Sequence, residues 1–387
     1  MILRMAVRNL FSSGLKTWLN VLALSLSFVV IIVAQGFYSG LNRQIEKSTI
    51  DLYYGGGQYW VDTYDPYDPI TIDDAHHDIP AELREMINQD QASPILIRSA
   101  TIYPNGRMQN VLLKGIPQEQ KILKLPTKIL GGKHDAIPAL IGNRMAEDTG
   151  LVKGDLVTVR WRDNNGTFDA TELEIKEIMR TSVGEVDTGQ IWIPYEDLTQ
   201  ITDLDNQASI IVLGQNEEFH NGLTSWSFQD LDSLLKDART FIAADNTGAG
   251  IFYVILLMLA MLSIFDTQVL SIFRRKKEFG TLMAMGMTKQ SLIQLITLEG
   301  AMYSLLAMIV ASIYGTPLLA YLKNTGFGMP ESMDEFGYAL GNRIYPNFTS
   351  GLILTTIIFI VIITTLVGYL PTRRISKLSP TEALRKN

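Results

Sequence analysis

The residues first in line for chemistry are histidines among carboxylates. In Asp73-Asp74-Ala75-His76-His77-Asp78, two imidazoles stand among three acids, donor types that can hold a divalent metal. Adjacent histidines in a polar loop are commonly just solvated, and His134 and His220 lie far along the chain, so no metal is expected. Catalysis is not expected either. His-Glu-x-x-His, the Gly-x-Ser-x-Gly elbow and a Cys/His pair are missing, and there is no cysteine. Gly55-Gly56-Gly57 lacks the spacing and the Lys-Ser/Thr of a phosphate loop, and no Walker motif occurs elsewhere. The chain is therefore expected to be no enzyme and to hold no cofactor. Two carboxylates stand out by their surroundings. Asp266 and Glu299 interrupt long apolar stretches, where a central charge costs about 2.5–3.5 kcal/mol. Asp266 lies shortly before Arg274, and Glu299 shortly after the basic stretch that Arg274 opens, so both read as carboxylates near an interface.

That basic stretch, Arg274–Ser291, is where binding chemistry concentrates. It begins with four consecutive cations, Arg274, Arg275, Lys276 and Lys277, and lies between two apolar segments. Cations at the end of a span mark the cytoplasmic side. Read as a helix, Phe279, Leu282, Met283, Gly286 and Met287 fall on one stripe, with Lys276, Lys277 and Lys289 away from it. Such a helix can lie in the headgroup layer, held by anionic lipid. It can also dock on a partner, because Met re-packs easily and small residues such as Ala284 and Gly286 permit close approach.

The elements around this stretch follow from hydropathy. Four apolar segments, Leu19–Tyr38, Ile251–Phe273, Leu292–Leu322 and Leu352–Leu370, each meet the roughly 20 residues that a helical span requires. The segments assigned to the inside hold 13 of the 33 Lys and Arg, against only Glu278 and Glu382. Between Leu41 and Gly250 there are 33 acids and 18 bases. The positive-inside rule then places both termini in the cytoplasm and the acidic region outside the cytoplasmic membrane. The overall charge of −7 argues against nucleic-acid binding. The first apolar run is too long for a cleaved signal peptide. Without cysteine, the outer region must be stabilised by its own core, for which some 200 residues suffice.

The expected fold is an α-helical membrane protein with four transmembrane helices plus a large α+β extracytoplasmic domain. In order, we expect an amphipathic elbow helix over 1–17, with Leu3, Val7 and Leu10 on one side, and a first span over 18–41 with Trp18 at its interface. The extracytoplasmic domain covers 42–246, and a polar helix projects from the first span into it. A second span (251–273), the basic coupling segment (274–291), a third span (292–322), an outer loop (323–347), a fourth span (348–370) and a cytoplasmic tail (371–387) follow. The third segment exceeds what a bilayer needs, so its start, through Glu299, is expected below the membrane, and Pro317 is expected to kink its outer end. In the outer domain the periodicity predicts strands at Gln58–Thr63, Ile95–Tyr103, Met108–Lys114, Asp155–Arg162, Thr171–Met179, Gln190–Ile193 and Ser209–Leu213. It predicts helices at Pro80–Gln89, Asn143–Thr149, Tyr195–Thr202 and Gln229–Ala243, and a tight hairpin at Asp163-Asn164-Asn165-Gly166.

Arg275, Lys277-Glu278-Phe279-Gly280 and Ala284-Met285-Gly286 resemble the R-x-R-E-I-G-x-x-R-A-L-G signature of the FtsX-like permeases of ABC transporters, with Met283 where that family often has Arg or Lys. The end of the chain, Arg373-Arg374 through Leu378-Ser379-Pro380-Thr-Glu382-Ala-Leu-Arg385, resembles the family's terminal motif, and Ser379 to Glu382 also forms a capping box. A third stretch, Ile141-Gly142-Asn143-Arg144-Met145-Ala146, Gly150-Leu151, Gly154-Asp155 and Val157, is similar to the lipoprotein-releasing LolC/LolE-type permeases. The tight hairpin departs from the longer, proline-containing hook of LolC-like subunits. The resemblance implies that Arg275, Lys277, Glu278, Phe279, Gly280, Leu282, Met283, Ala284, Gly286 and Met287 dock on a separate dimer of cytoplasmic ATPases. Those ATPases would bind the ATP and Mg. It also implies a second permease subunit, identical or homologous, and motion transmitted to the outer domains. For Asp266, where the family often has Asn, it implies a hydrogen bond between helices. Within the family the expected task is lipoprotein release, with lipid or substrate against Phe28, Val29, Phe37 and Met258, and a carrier as a further partner. The alternatives are MacB-like peptide or drug export and FtsX-like control of a cell-wall hydrolase.

Overall fold

The computed structural model describes residues 15–132, 134–181, 183–215, 217, 219, 222–236, 239–240, 250–251, 254–328 with gaps between 254 and 272, and 343–375. The expected elbow helix over 1–17, except its last three residues, and the capping box of the tail lie outside these residues. The chain divides into two compact units, 1–42 with 242–327 and 344–387, and 43–241 with 328–343.

The second unit is built on a nine-stranded sheet. Its strands are β1 (Gln58–Val61), β3 (Ala92–Ile102), β4 (Gln109–Ile116), β5 (Ile137–Gly142), β6 (Leu156–Arg162), β7 (Phe168–Met179), β8 (Gln190–Pro194), β10 (Ile210–Leu213) and β11 (Trp226–Gln229). The short strands β2 (His77–Asp78) and β9 (Gln207–Ala208) pair separately. The order is β11-β1-β10-β3-β4-β8-β5-β7-β6, and β6 also pairs with β3. That last pairing, Ala100 opposite Trp161 and Ile102 opposite Val159, closes β3-β4-β8-β5-β7-β6 into a six-stranded barrel. Closure leaves no edge to be covered in that part of the sheet. Strand β6 alternates strictly, with Val157, Val159 and Trp161 inside and Leu156, Thr158, Arg160 and Arg162 out, while β8 is buried along its whole length.

The barrel is filled by Leu96, Ile102, Leu113, Ile141, Val159, Trp161, Leu173, Ile175, Ile191 and their neighbours. A second core lies on the other face of β3, β8 and β10, around Ile95, Ile97, Trp192 and Ile210. A third packs Leu83 and Met86 of the helix Ala81–Asn88 with Tyr59, Ile211, Leu213 and Trp226. The helices Asn143–Thr149 and Tyr195–Thr202 have the limits the sequence predicts, the first stopped by Gly150 at φ +72°. All seven expected strands are present, and β5 and β11 are additions. The helix expected from Gln229 starts instead at Leu231, because Gln229 pairs with Gln58 in the sheet and the Asp230 side chain caps the helix by accepting from Ser233 N–H. The hairpin turns as expected between β6 and β7, with Gly166 at φ +83° and the Asp163 carboxylate accepting the Thr167 N–H at 2.7 Å.

In the other unit, three helices among the described residues are long and apolar enough to cross a membrane. The first is Leu15–Thr49, extended by a π-helical turn, Ile50–Tyr54, so the expected span and the polar helix after it are one element. The third expected span is Lys289–Thr325, and the fourth is Ser350–Ile375. The third runs through Pro317 unbroken and is about 55 Å long at 1.5 Å per residue, well beyond a bilayer core of about 30 Å. It extends to Thr325, so the outer loop expected from 323 begins later. The second expected span is described in part, and its described residues are helical.

Val21, Leu24, Phe28 and Ile31 of the first helix pack with Tyr303, Ala307, Ala311 and Ile360. Polar contacts fix the register. Tyr314 Oη lies 3.2 Å from Ser25 Oγ, Thr356 donates to Gln35 at 2.6 Å, and the Asn347 N–H donates to the Gly36 carbonyl at 2.8 Å. A Cβ at Gly36 would meet the Phe348 ring, and one at Gly40 the Tyr345 carbonyl, so these two small residues four apart allow the close approach.

Truncating the barrel core should unfold the barrel unit far more readily than trimming its surface. Leu113→Ala, at a fully buried position, is expected to cost about 2–5 kcal/mol. Ile70→Ala, at a side chain 86% exposed, should stay within about 0.5 kcal/mol. Chemical denaturation of the two variants beside the parent checks both.

Candidate functional site: the basic helix between two apolar helices

The basic stretch folds as a short helix, Lys276–Ala284, followed by a reversal. Gly286 sits at φ +101°, open to glycine and strained for other residues, and its N–H donates to the Met283 carbonyl at 3.1 Å. The Met287 N–H donates to the Leu282 carbonyl at 3.0 Å. Thr288 then caps the third helix, its hydroxyl accepting from Ser291 N–H. The expected helical stripe therefore ends at Ala284, and Gly286 and Met287 belong to the turn.

The stripe also faces inward. Phe279 is 2% exposed and packs with Ile272, Leu292 and Ile296, with Leu282, Met283 and Met287 at the margin of the same cluster. Gly280 is buried. A phenyl ring enclosed by its own chain cannot also fill a partner's groove, which corrects the role that the periodicity gives Phe279. The outward rim consists of Lys277, Glu278, Thr281, Ala284, Met285 and Gly286, with Met285 72% exposed.

One ion pair fastens the start of this helix. Arg275 Nη1 lies 3.0 Å from both carboxylate oxygens of Glu299 on the third helix, and Arg275 Nε lies 2.9 Å from Glu278. The guanidinium stands 5.1 Å over the Phe279 ring. The Glu299 side chain is 5% exposed and that of Arg275 is 20% exposed, so this pair is screened from solvent far more than a surface pair. Glu299 thus lies against the basic segment. Asp266 is exposed on its helix.

The residues expected to face lipid or substrate separate. Phe28 and Val29 are 1% and 5% exposed inside the helix bundle, so their outward role is corrected by packing against the third and fourth helices. Phe37 is half-buried and stands edge-on to Tyr38 and Phe327, with centroids at 5.8 Å and 5.3 Å. Met258 is 61% exposed.

In the barrel unit, the histidine–aspartate loop is tied into the fold. His76 Nδ1 lies 2.6 Å from Gln207 Oε1, and the Asp73 carboxylate accepts the Ser99 N–H at 2.8 Å. Among the described residues no group of three potential metal ligands converges. The glycine-rich stretch from Ile141 is structural as well. A Cβ at Gly142 would overlap Asp187, whose carboxylate accepts the Arg144 N–H at 3.2 Å and faces Arg144 Nε at 3.4 Å. Burial pushes the Asp187 carboxyl up from its ordinary value, against the pull of Arg144. One buried group escaped the sequence reading. Lys114, at the end of the expected strand, is 1% exposed, with its Nζ 3.1 Å from Tyr53 Oη and over the rings of Tyr53 and Trp192. A lone lysine between Leu113 and Gly115-Ile116 in an apolar strand was the available signal.

Three helices long and apolar enough to cross a membrane and a braced basic helix stand beside a unit built on a barrel. Residues 250–380, about a third of the chain, match the FtsX-like permease C-terminal family, which is the superfamily that its two motifs resemble. The macrolide export ATP-binding/permease protein MacB of Wolinella succinogenes is 21% identical over 263 residues, which is 67% of this chain. The chain spans 37% of that protein's length. Among solved structures, the extracellular domain of the noncanonic ABC-type transporter YknZ from Gram-positive bacteria aligns over 42% of this chain and 83% of its own, with 14% identity and TM-score 0.25. The periplasmic region of MacB from Actinobacillus actinomycetemcomitans aligns over 48% of this chain and 94% of its own, with 9% identity and TM-score 0.31.

Removing the carboxylate of Glu299 should loosen the basic helix. Glu299→Ala is expected to cost about 2–3 kcal/mol, below the ~3–5 kcal/mol of a fully sealed pair because Arg275 keeps Glu278 and some solvent. Glu278→Ala, at a side chain 65% exposed, should cost about 0–1 kcal/mol. Thermal unfolding in detergent distinguishes them.

Proposed function

We propose that this chain is the transmembrane subunit of an ABC transporter of the FtsX/MacB type. Its four spans have both ends in the cytoplasm and the barrel unit outside the cytoplasmic membrane. A separate pair of ATPases binds ATP and Mg, and a second permease subunit, identical or homologous, completes the complex. The observation that carries this reading is the braced helix Lys276–Ala284, within the stretch that matches the FtsX-like family. Its inner face is locked to the third helix by Phe279 and the Arg275–Glu299 pair, so a push on its outer rim moves that helix with it. Docking belongs to the rim: Met285 and Ala284 supply apolar contact, and Lys277, Glu278 and Thr281 polar contact. Leu282, Met283 and Met287 reach the ATPase only at their margins. Closure of the ATPases on ATP would then displace the coupling helices and, through the spans, the outer domains.

Two cargo readings have support. The stretch from Ile141 to Val157 resembles lipoprotein-releasing permeases and favours release of a lipid-modified protein to a carrier, with Met258 as the exposed apolar contact. The similarity to a macrolide exporter favours extrusion of an amphiphilic compound or peptide. Reconstitution with the ATPase separates them: release of an acylated protein from proteoliposomes supports the first, and ATP-dependent loss of macrolide without such release supports the second.

Docking is tested at the rim. Met285→Asp should insert normally yet lose its ATPase on purification. Forfeiting a buried Met, about 1.5–3 kcal/mol, weakens the contact roughly 10- to 100-fold. Full retention of the ATPase would make this stretch a membrane-surface helix only. Orientation is tested with single cysteines in the cysteine-free chain. An impermeant thiol reagent on intact cells should label Asn165→Cys and spare Lys289→Cys, and the reverse pattern would invert the topology.

A further inference from the structure

Lys114 is an enclosed amine, and among the described residues no carboxylate forms an ion pair with it. It lies on β4 with its side chain in the core on the outer face of the barrel, lined by Trp192 of β8 and by Tyr53. Its Nζ stands 3.1 Å from Tyr53 Oη, 4.4 Å from the Tyr53 ring centroid and 5.1 Å from that of Trp192. Burying an ammonium without a carboxylate costs far more than a methionine or leucine in the same space. A position that bears this cost holds something that an apolar residue would not.

Lys114 holds Tyr53 of the π-helical turn Ile50–Tyr54, which continues the first membrane helix. Single π turns are rare and concentrate at functional positions. This one is fixed from several sides. The Gly55 N–H donates to the Ile50 carbonyl, the Gln58 side chain donates to the Tyr53 carbonyl at 2.8 Å, and the Lys124 N–H donates to the Asp51 carbonyl at 2.8 Å. Gly56 N–H reaches the Leu213 carbonyl on β10. The ion pair of Asp51 with Lys124 has its lysine two-thirds exposed, and such pairs hold weakly. Lys114–Tyr53 is a side-chain fastening that solvent does not screen, as is the bond from Gln58 to the Tyr53 carbonyl.

We infer that Lys114 is a pin: its bond to Tyr53 locks the π turn to the barrel wall, and motion arriving along the first helix reaches the barrel through this contact. Lys114 is thus a positioning residue, and its mechanical role rests on the transport reading above. The titrating and charged groups facing it are Tyr53 from the π turn and Glu185 from the short helix Gly184–Asp187, while β8 offers only the Trp192 ring. Burial lowers the Lys114 amine from 10.5 to about 7, with Glu185 pulling the other way. Burial likewise raises Tyr53, which keeps its proton. The unfolded lysine holds its proton up to about 10.5, so between pH 7 and 10.5 the unfolded state binds more protons and stability rises with pH. Below pH 7 both states are protonated and the penalty is fully present.

The test uses the full chain in detergent or nanodiscs, with its ATPase where transport is read. Lys114→Met removes the amine, and Tyr53→Phe removes only the hydroxyl and guards against misfolding of the first variant. Hydrogen exchange over residues 50–54 should quicken at least tenfold in both. ATP hydrolysis should persist while transport per ATP falls at least fivefold. The rise of the denaturation midpoint between pH 7 and 10 should flatten in Lys114→Met relative to the parent. Unchanged exchange and an unchanged pH profile in both variants would overturn the pin. Quickened exchange with transport per ATP unaltered would overturn its mechanical role. A parent that binds no ATPase would defeat the transport reading instead, while the exchange and pH measurements still decide the pin.

Discussion

Strand β3 pairs with three neighbours, and the barrel unit depends on how it divides between them. Its first residues, Ala92 to Ile95, bond to β10, and residues from Leu96 onward bond to β4. At Ala100–Ile102 the side that β10 has left is taken by β6. One eleven-residue strand therefore closes a barrel and also carries a three-stranded extension. Two faces of the same strand feed two separate cores, Leu96 and Ile102 inward and Ile95 and Ile97 outward. A strand this committed on both edges and both faces cannot shift register without emptying one core into the other.

The membrane unit solves the opposite problem, since apolar helices in lipid have no hydrophobic reason to associate. Its described contacts use close approach at Gly36, Gly40 and Gly315 and a few polar bonds, among them Thr356 to Gln35 and Tyr314 with Ser25. Polar bonds between helices are directional and fix rotation as well as position. The basic helix follows the same logic at its own end, with Arg275 and Glu299 setting the angle and Phe279 filling the space beneath.

Much of this was legible in sequence because it is periodic. The alternation of β6 and the turn chemistry of Asp163–Gly166 gave the hairpin, and Gly150 after Asn143–Thr149 gave a helix end. What escaped was not periodic. Strand β5 has six residues, includes Pro138 and runs directly into a helix, so it offered no alternation. Strand β11 has no sequence signal, and only its last residue, Gln229, falls in the predicted helix, since Trp226–Gln229 pairs with a partner more than 150 residues away. The basic stretch was read as one long helix because its apolar spacing continues past Ala284, yet spacing says nothing of Gly286 at φ +101°. Nor does periodicity say which neighbour a stripe faces. Phe279 and Phe28 were read as outward-facing surfaces and lie in cores, because an amphipathic pattern marks a buried face without naming what buries it.

The same ambiguity bears on how force could pass through such a chain. A helix whose apolar face docks on a partner is held by that partner, and slackens when the partner leaves. A helix whose apolar face is sealed against its own third helix keeps its angle throughout, and the partner needs only a shallow rim to push on. In this chain Phe279, Ile272, Leu292 and Ile296 seal that face, so the angle of the helix is set within the chain, and Met285 and Lys277 are left exposed on its rim.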